Sequence, residues 1–371
     1  MRYLMCIFSI LLLSGCANPA KEVHNIDYAI MENNIDELKR YKNHPYIMQA
    51  ESSLVKDDII PNATASALYH GNIDAIRYLI SQDAIHNVSI WHSLPEGGFK
   101  VTPVNIPAAE LACGLGAFDI MSLLQTTYPE QKVNYTNCLH YLVGLGHLSM
   151  TYSIPHEHTQ ANINNGVKKV LALGGDPTVM PEYGRAMQLD VMHDLTINRS
   201  SVSERLALLK MLLDHGVDPN TEYPYRNAKE TMLINLAIYT DQEMASAAAK
   251  MLVDYGAEVN KLVSKSVVYD VIPPYWYNRE TRQVSALHMA RFFDRHEFAN
   301  TLIELGADPE LADSRGRLAK SYTGNFAQLE RKRRQLMAQA AAKSATSEEE
   351  SGSAYGSIMG VLGVAGSVLG Y

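Results

Sequence analysis

The 371-residue chain is 47% hydrophobic and 19% charged, an ordinary globular composition whose length alone suggests about two or three domains. Its net charge of −8 is spread along the chain and excludes a nucleic-acid binder, which needs a basic stripe. The only dense basic run, RKRR at Arg331 to Arg334, reads as a solvated helix face.

Residues 1 to 16, MRYLMCIFSILLLSGC, begin with Arg2, continue as an apolar run and end in small residues before Cys16. The run is too short for a comfortable membrane span, so the segment reads as an export signal. Its end, LSGC at Leu13 to Cys16, resembles the lipobox of bacterial lipoproteins. That resemblance implies a signal peptide of residues 1–15 cut after Gly15, two acyl chains on the Cys16 thiol and a third on its amine. Acyl chains hold a protein to a bilayer through roughly 0.8 kcal/mol per buried methylene. The plainer alternatives are a secretory signal or an uncleaved anchor. Ala17 and not Asp follows Cys16, so the resemblance implies the periplasmic face of the outer membrane, with residues 16–24 as tether.

Beyond the tether, short helices are predicted in pairs joined by tight turns. The first, DYAIMENNIDELKRY (27–41), is degenerate. SALYHGNIDAIRYLI (66–80), ELACGLGAFDIMSLL (110–124), CLHYLVGLGH (138–147), TMLINLA (231–237) and SALHMARFFDRHEFANTLIELG (285–306) follow. In the last of these Leu287, Ala290, Phe298, Leu302 and Leu305 recur at the spacing of packed helical faces. Small residues on the first helix let a neighbour approach closely. A second pattern closes the helices: LALGGDPT (171–178), LLDHGVDPN (212–220), LVDYGAEVN (252–260) and LIELGADPE (302–310). Their glycines Gly174, Gly216, Gly256 and Gly306 stand where a helix ends in a left-handed residue, which glycine adopts at least cost.

Together these segments resemble ankyrin repeats, whose pattern runs from a Thr-Pro-Leu-His start through an Ala-Ala pair, a Gly-His turn and a Leu-rich second helix to a Gly-Ala-Asp ending. SALHMA keeps Leu287, His288 and Ala290 but has Ser285 and Ala286 in place of Thr-Pro, and CLHYLVGLGH keeps Leu139, His140, Gly146 and His147. ADSRGRLAKSY (312–322) resembles the opening of a capping unit, with Leu318 where Thr is usual. The resemblance implies an all-α ankyrin solenoid over residues 25–325, one continuous core of about six to eight units. The family period is about 33 residues, whereas the four glycines are 42, 40 and 50 positions apart by difference of their numbers. The excess falls in 85–106, 148–165, 178–203, 221–230 and 261–284, and insertions in stacked hairpins become loops that often mark a binding face.

These insertions carry the chain's most conspicuous aromatics. PPYWYNRE (273–280) sets Tyr275, Trp276, Tyr277 and Arg279 directly after two prolines, an opening that no core helix uses. Trp91, and Tyr223 and Tyr225 with Arg226, stand in two other insertions. Tyr, Trp and Arg are the types enriched at interface hot spots, so these eight residues are the expected partner-binding set, and their recurrence points to a shared surface. The alternative is that Trp276 covers the apolar surface of the next helix pair.

Cys6 leaves with the signal and Cys16 takes lipid, which leaves Cys113 and Cys138 in an oxidising compartment. On the ankyrin pattern Cys113 holds the second position of the Ala-Ala pair and Cys138 the proline position of the next unit, about five residues nearer the helix start. Five residues rise roughly 7 Å, neighbouring helices stand roughly 8 to 10 Å apart, and a disulfide needs Cα atoms within about 7 Å. Ideal stacking therefore predicts two buried thiols.

Catalytic chemistry finds little support. His156, Glu157 and His158 form an HEH fragment, but no second cluster or HExxH helix accompanies it, and it reads as a solvated turn. His140 and His288 hold the position where the family's histidine organises turns between repeats. No GxSxG segment or phosphate-cradling glycine loop is present, so no enzyme, cofactor or metal is expected. A basic helix is expected over 326–343, then a flexible polar linker and an apolar, glycine-rich tail over 344–371.

A lipid-anchored repeat protein of this kind is expected to bind another protein. Periplasmic ankyrin lipoproteins resemble immunity proteins that neutralise antibacterial effectors of type VI secretion, lipase-type toxins such as phospholipases among them. The implied mechanism is occlusion of the effector's active site at the membrane under attack. The alternatives are an envelope scaffold binding a resident protein, and an enzyme whose metal site is assembled from His147, His156, Glu157 and His158.

Overall fold

The computed structural model describes residues 19–48, 53–55, 58–60, 62–85, 87–93, 101–148, 159–180, 187–196, 200–225, 228–272 and 276–351. The signal segment, Cys16, the HEH fragment and the apolar tail from 352 lie outside the described residues. Within them the chain is mostly helical, and the strands form four two-stranded antiparallel hairpins. It divides into two compact units between Glu258 and Val259.

In the first unit, helices α1 (Pro19–Met31) and α2 (Ile35–Leu38) form a pair, followed by a 3₁₀ turn at Lys39–Tyr41 and the short α3 (Pro45–Met48). Pairs α4 (Ala63–Tyr69) with α5 (Ile73–Ser81), α6 (Ala108–Gly114) with α7 (Phe118–Thr127), and α8 (Tyr135–Leu148) with α9 (Gln160–Ala172) come next. Then follow α10 (Met187–Thr196) with α11 (Val202–Asp214) and α12 (Met232–Tyr239) with α13 (Gln242–Asp254). Each first helix packs on the next first helix, from α1 through α4, α6, α8 and α10 to α12. Second helices pack likewise, α2 on α5, α5 on α7, α9 on α11 and α11 on α13. The result is two helical layers around one core, built one pair at a time. Alanines make the close approach possible: Ala63, Ala65 and Ala67 of α4 and Ala108, Ala109 and Ala112 of α6 are all fully buried.

The helix ends follow the glycine pattern. Gly174, Gly216, Gly256 and Gly306 have φ between 89° and 97°. In each case the glycine amide donates three residues back and the next amide five back, as in Gly216 to Leu213 and Val217 to Leu212, which is the Schellman arrangement. An asparagine then ties one ending to the next: Asn220 Nδ2 donates to the Gly256 carbonyl at 2.8 Å and its Oδ1 accepts from the Glu258 amide at 2.7 Å.

Several local expectations need correction. α1 begins inside the supposed tether, and Val23, Ile26, Ala29 and Ile30 are core residues. Segment 138–147 contains no tight turn; it belongs to the unbroken helix α8, which starts a turn earlier where Asn134 Oδ1 accepts from the amides of Thr136 and Asn137. Insertion 178–203 holds helix α10, whose Met187, Val191, Met192 and Leu195 are buried on one helical face.

Cys113 and Cys138 are joined in a disulfide, with Cα atoms 5.6 Å apart. The expectation of free thiols assumed ideal stacking, and α6 and α8 depart from it. Glu110 of α6 accepts from the Asn134 amide and from Asn137 Nδ2, both at 3.0 Å, which holds the extra first turn of α8 against α6. Gly114 also brings the two helices into closer contact, since a Cβ there would lie 2.5 Å from that of Tyr141.

The second unit contains the hairpin of β7 (Val263–Ile272) and β8 (Trp276–Val284), the pair α14 (Ala286–Phe292) with α15 (His296–Glu304), a 3₁₀ turn at Ala319–Tyr322 and α16 (Asn325–Ser351). Helix α16 runs past the expected end at 343 to Ser351. In the basic run Arg331, Lys332 and Arg334 are exposed, but Arg333 is buried beside Glu330 at 3.7 Å. Here Asn260 repeats the asparagine tie, donating to the Gly306 carbonyl at 3.0 Å and accepting from the Asp308 amide at 2.8 Å.

Candidate interaction surface

Three of the expected insertions are β-hairpins. In the first unit β3 (Val88–Ser93) pairs with β4 (Val101–Ile106) and β5 (Tyr223–Tyr225) with β6 (Ala228–Glu230). A further hairpin, β1 (Ser53–Val55) with β2 (Asp58–Ile60), was not foreseen. In the second unit β7 (Val263–Ile272) pairs with β8 (Trp276–Val284). β-Branched residues favour strands, and VSKSVVYDVI supplies four valines and an isoleucine in ten residues.

The predicted aromatics fall on these strands. Trp91 lies on β3, paired with Pro103, Tyr225 on β5, and Trp276, Tyr277 and Arg279 on β8. Tyr275 and Arg226 lie outside the described residues. Tyr223 departs from the prediction: it is 1% exposed and belongs to the packing under its hairpin. Next to it Glu230, also buried, accepts from Asn235 Nδ2 at 2.7 Å, fixing the base of that hairpin to α12.

The base of the long hairpin in the second unit is built more heavily. Val263, Lys265 and Val267 on β7 and Arg282 and Val284 on β8 are buried at alternate positions, while Arg279, Thr281 and Gln283 are exposed. The alternation is the pleat of a strand with one face on a core. A register shift between Val268 and Asp270 marks the bulge beyond which the strands continue to Ile272 and Trp276. Bulges re-aim a strand and strengthen its twist.

Arg282 anchors the buried face. It pairs with Glu280, donates to the Tyr322 hydroxyl at 3.0 Å and lies 3.7 Å from Asp313. Asp313 accepts from the amides of Arg315 at 2.7 Å and Arg317 at 2.8 Å, and from Tyr322 Oη. Glu280 also meets Arg315 at 2.7 Å. Burial alone would raise the Asp313 pKa, but the bonds from Tyr322 and the two amides, with the Arg282 charge, hold it below the usual carboxylate range. Tyr322 is pushed up to about 12, chiefly by burial. The Ser314 amide donates to the Gln283 carbonyl at 3.2 Å and Ser314 Oγ accepts from the Gln283 amide at 3.0 Å, so the 312–318 turn is stitched to the edge of β8. Beside this base a cavity of about 350 Å³ has Val267, Phe292, Leu329, Tyr322, Arg317 and Lys332 among its lining residues.

The histidines hold turns together. His288 Nδ1 lies 2.8 Å from Ser285 Oγ and Nε2 lies 3.2 Å from the Arg317 carbonyl, while His140 Nε2 lies 3.2 Å from the Val179 carbonyl. Among the described residues no three His, Cys, Asp or Glu side chains are grouped to hold a metal ion. The hairpin-base network was missed in the sequence, although Glu280 and Arg282 at alternate positions of NRETRQV were a sign of one buried polar strand face. No family model matches the chain, and no curated protein matches its sequence.

Proposed function

We propose that the chain is an ankyrin-type repeat protein, lipidated at Cys16 on the periplasmic face of the outer membrane, that works by binding another protein and not by catalysis. The observation that carries the reading is the 22-residue hairpin Val263–Val284, far longer than helix connections require, with its base locked by the Arg282, Glu280, Asp313 and Tyr322 network. A rigid base with Trp276, Tyr277 and Arg279 along the outgoing strand presents anchor residue types at low entropic cost. The ordered helix pairs, glycine caps and asparagine ties support the repeat class, and the Cys113–Cys138 disulfide accords with an exported protein.

The partner this reading favours is a secreted antibacterial effector of the lipase type, with the protein acting as its immunity protein by covering the active site. That choice rests on the analogy of repeat class and envelope address; binding to a resident envelope protein is the second reading. Capture with the chain from residue 17 onward, in lysate expressing the adjacent open reading frames, should recover a secreted hydrolase whose activity falls on binding. Recovery of resident envelope proteins alone would move the assignment to a scaffold. Changing Tyr275, Trp276 and Tyr277 together to Ala should weaken binding by more than about 2 kcal/mol and leave the unfolding midpoint unchanged. A lowered midpoint with unchanged affinity would instead make the aromatics packing residues.

A further inference from the structure

We propose that the outer face of α1, formed by Lys21, His24, Tyr28 and Met31, rests on the lipid bilayer, so that the first helix pair is seated on the membrane and not suspended from it. The inference builds on the reading of Cys16 as lipidated. Cys16 and Pro19 are joined by three virtual Cα–Cα bonds, which span at most about 11 Å whatever their conformation. Pro19 is already the first residue of α1, and α1 is no tether: Val23, Ile26, Ala29 and Ile30 are buried in the core, where α1 packs on α4. A lipid inserted at Cys16 therefore brings the folded body itself to the headgroups.

The composition of the outward face fits that position. Lys21, His24, Tyr28 and Met31 are the exposed residues of α1 whose spacing of three, four and three makes one helical stripe. Tyr28 is 55% exposed and Met31 47%, unusual freedom for large apolar side chains on a core-packed helix. The stripe contains no carboxylate. The two acids of α1 are turned to protein partners, Glu22 to His44 at 3.4 Å and Asp27 to the Tyr46 hydroxyl at 2.9 Å. Two residues beyond Tyr46, Met48 adds a third exposed apolar side chain, 41% exposed. Lysine extends an apolar stem beneath a wet charge, and tyrosine favours the level of the headgroups. Glu32, exposed just past the end of α1, sets the limit of the contact.

The test uses the full chain, lipidated and reconstituted in phosphatidylethanolamine–phosphatidylglycerol vesicles that carry bromine high on the acyl chains. A fluorophore is attached through Tyr28→Cys, Met31→Cys or, on the exposed surface of α11, Lys210→Cys, and acylation of Cys16 is read by mass. Shallow burial of the stripe predicts loss of about half the emission at positions 28 and 31 and almost none at 210. Acylated, vesicle-bound protein with no quenching at 28 or 31 overturns the seating and leaves lipidation standing, as does equal quenching at all three sites. An unmodified Cys16 removes the lipidation reading and the seating with it.

Discussion

Two junctions between successive helices do the same work by opposite chemistry. In the first unit α6 meets α8 through a disulfide, a glycine contact and one buried carboxylate: Cys113–Cys138, Gly114 against Tyr141, and Glu110. In the second unit α14 meets the 312–322 segment without any covalent link, through His288 on the Arg317 carbonyl and edge-on against the Tyr322 ring, and β8 meets the same segment through Arg282 with Asp313 and Tyr322. The second junction carries the segment SALHMA, and its histidine reaches the next turn. In the first, Glu110 stands three positions into α6, as His288 does in α14, and bonds the start of α8 instead. Where a carboxylate stands in place of the turn-binding histidine, the chain also carries a crosslink.

The comparison breaks most visibly if a single partner is removed from the polar junction. Asp313→Ala leaves Arg282 buried without one of its counter-charges and the amides of Arg315 and Arg317 without an acceptor, so the second unit should lose about 3 to 5 kcal/mol in denaturant unfolding. A loss below 1 kcal/mol would mean that Glu280 and Tyr322 suffice for Arg282. The covalent junction should follow closely. A 25-residue separation between the cysteines corresponds to about 3.5 kcal/mol of loop-closure entropy, so the Cys113→Ala, Cys138→Ala double variant and reduced wild type should both unfold at lower denaturant by that amount. If the double variant keeps wild-type stability, the crosslink is incidental to the junction.

The same contrast explains how far the sequence could be read. Helix pairs at 66–80, 110–124 and 285–306 were legible because their apolar spacing is local, and so were the glycine ends, because a left-handed residue has one inexpensive solution. Helix α10 reads as an insertion because it lacks the repeat motif, although Met187, Val191 and Leu195 trace a helical face. The disulfide is not legible locally because pairing depends on how closely two helices approach, and here Glu110 on Asn134 and Gly114 against Tyr141 bring them together across 24 residues of sequence. Insertion lengths were readable, but their folding into hairpins was not, since it depends on cross-strand pairs such as Val263 with Val284 that no local window contains. Among the proposed contact residues, Tyr223 had the right residue type and the wrong surroundings: an aromatic at the root of a hairpin packs inward, however polar its neighbours.

The smallest expected effect is also the sharpest divider of the two junctions, because acid acts on them with opposite sign. Burial lowers the His288 pKa, and the Arg317 carbonyl and Asp313 charge only partly oppose it. The unfolded chain therefore takes up the proton first: the contribution of neutral His288 is complete above about pH 6.5 and is lost as pH falls through the folded pKa. Asp313, with its depressed pKa, adds its own loss only at lower pH, below about 4. Glu110 shifts the other way. Burial raises its pKa against the hydrogen bonds from Asn134 and Asn137, so the folded state holds the proton more firmly and this group's contribution improves as pH falls toward the unfolded value of about 4.3. Unfolding followed separately in the two units between about pH 7 and pH 5 should show the second unit weakening and the weakening reduced in His288→Gln, while Glu110→Gln should remove any acid gain in the first. Parallel slopes in both units would mean that the two junctions share one response, and that their different chemistry has no consequence for how the molecule responds to acid.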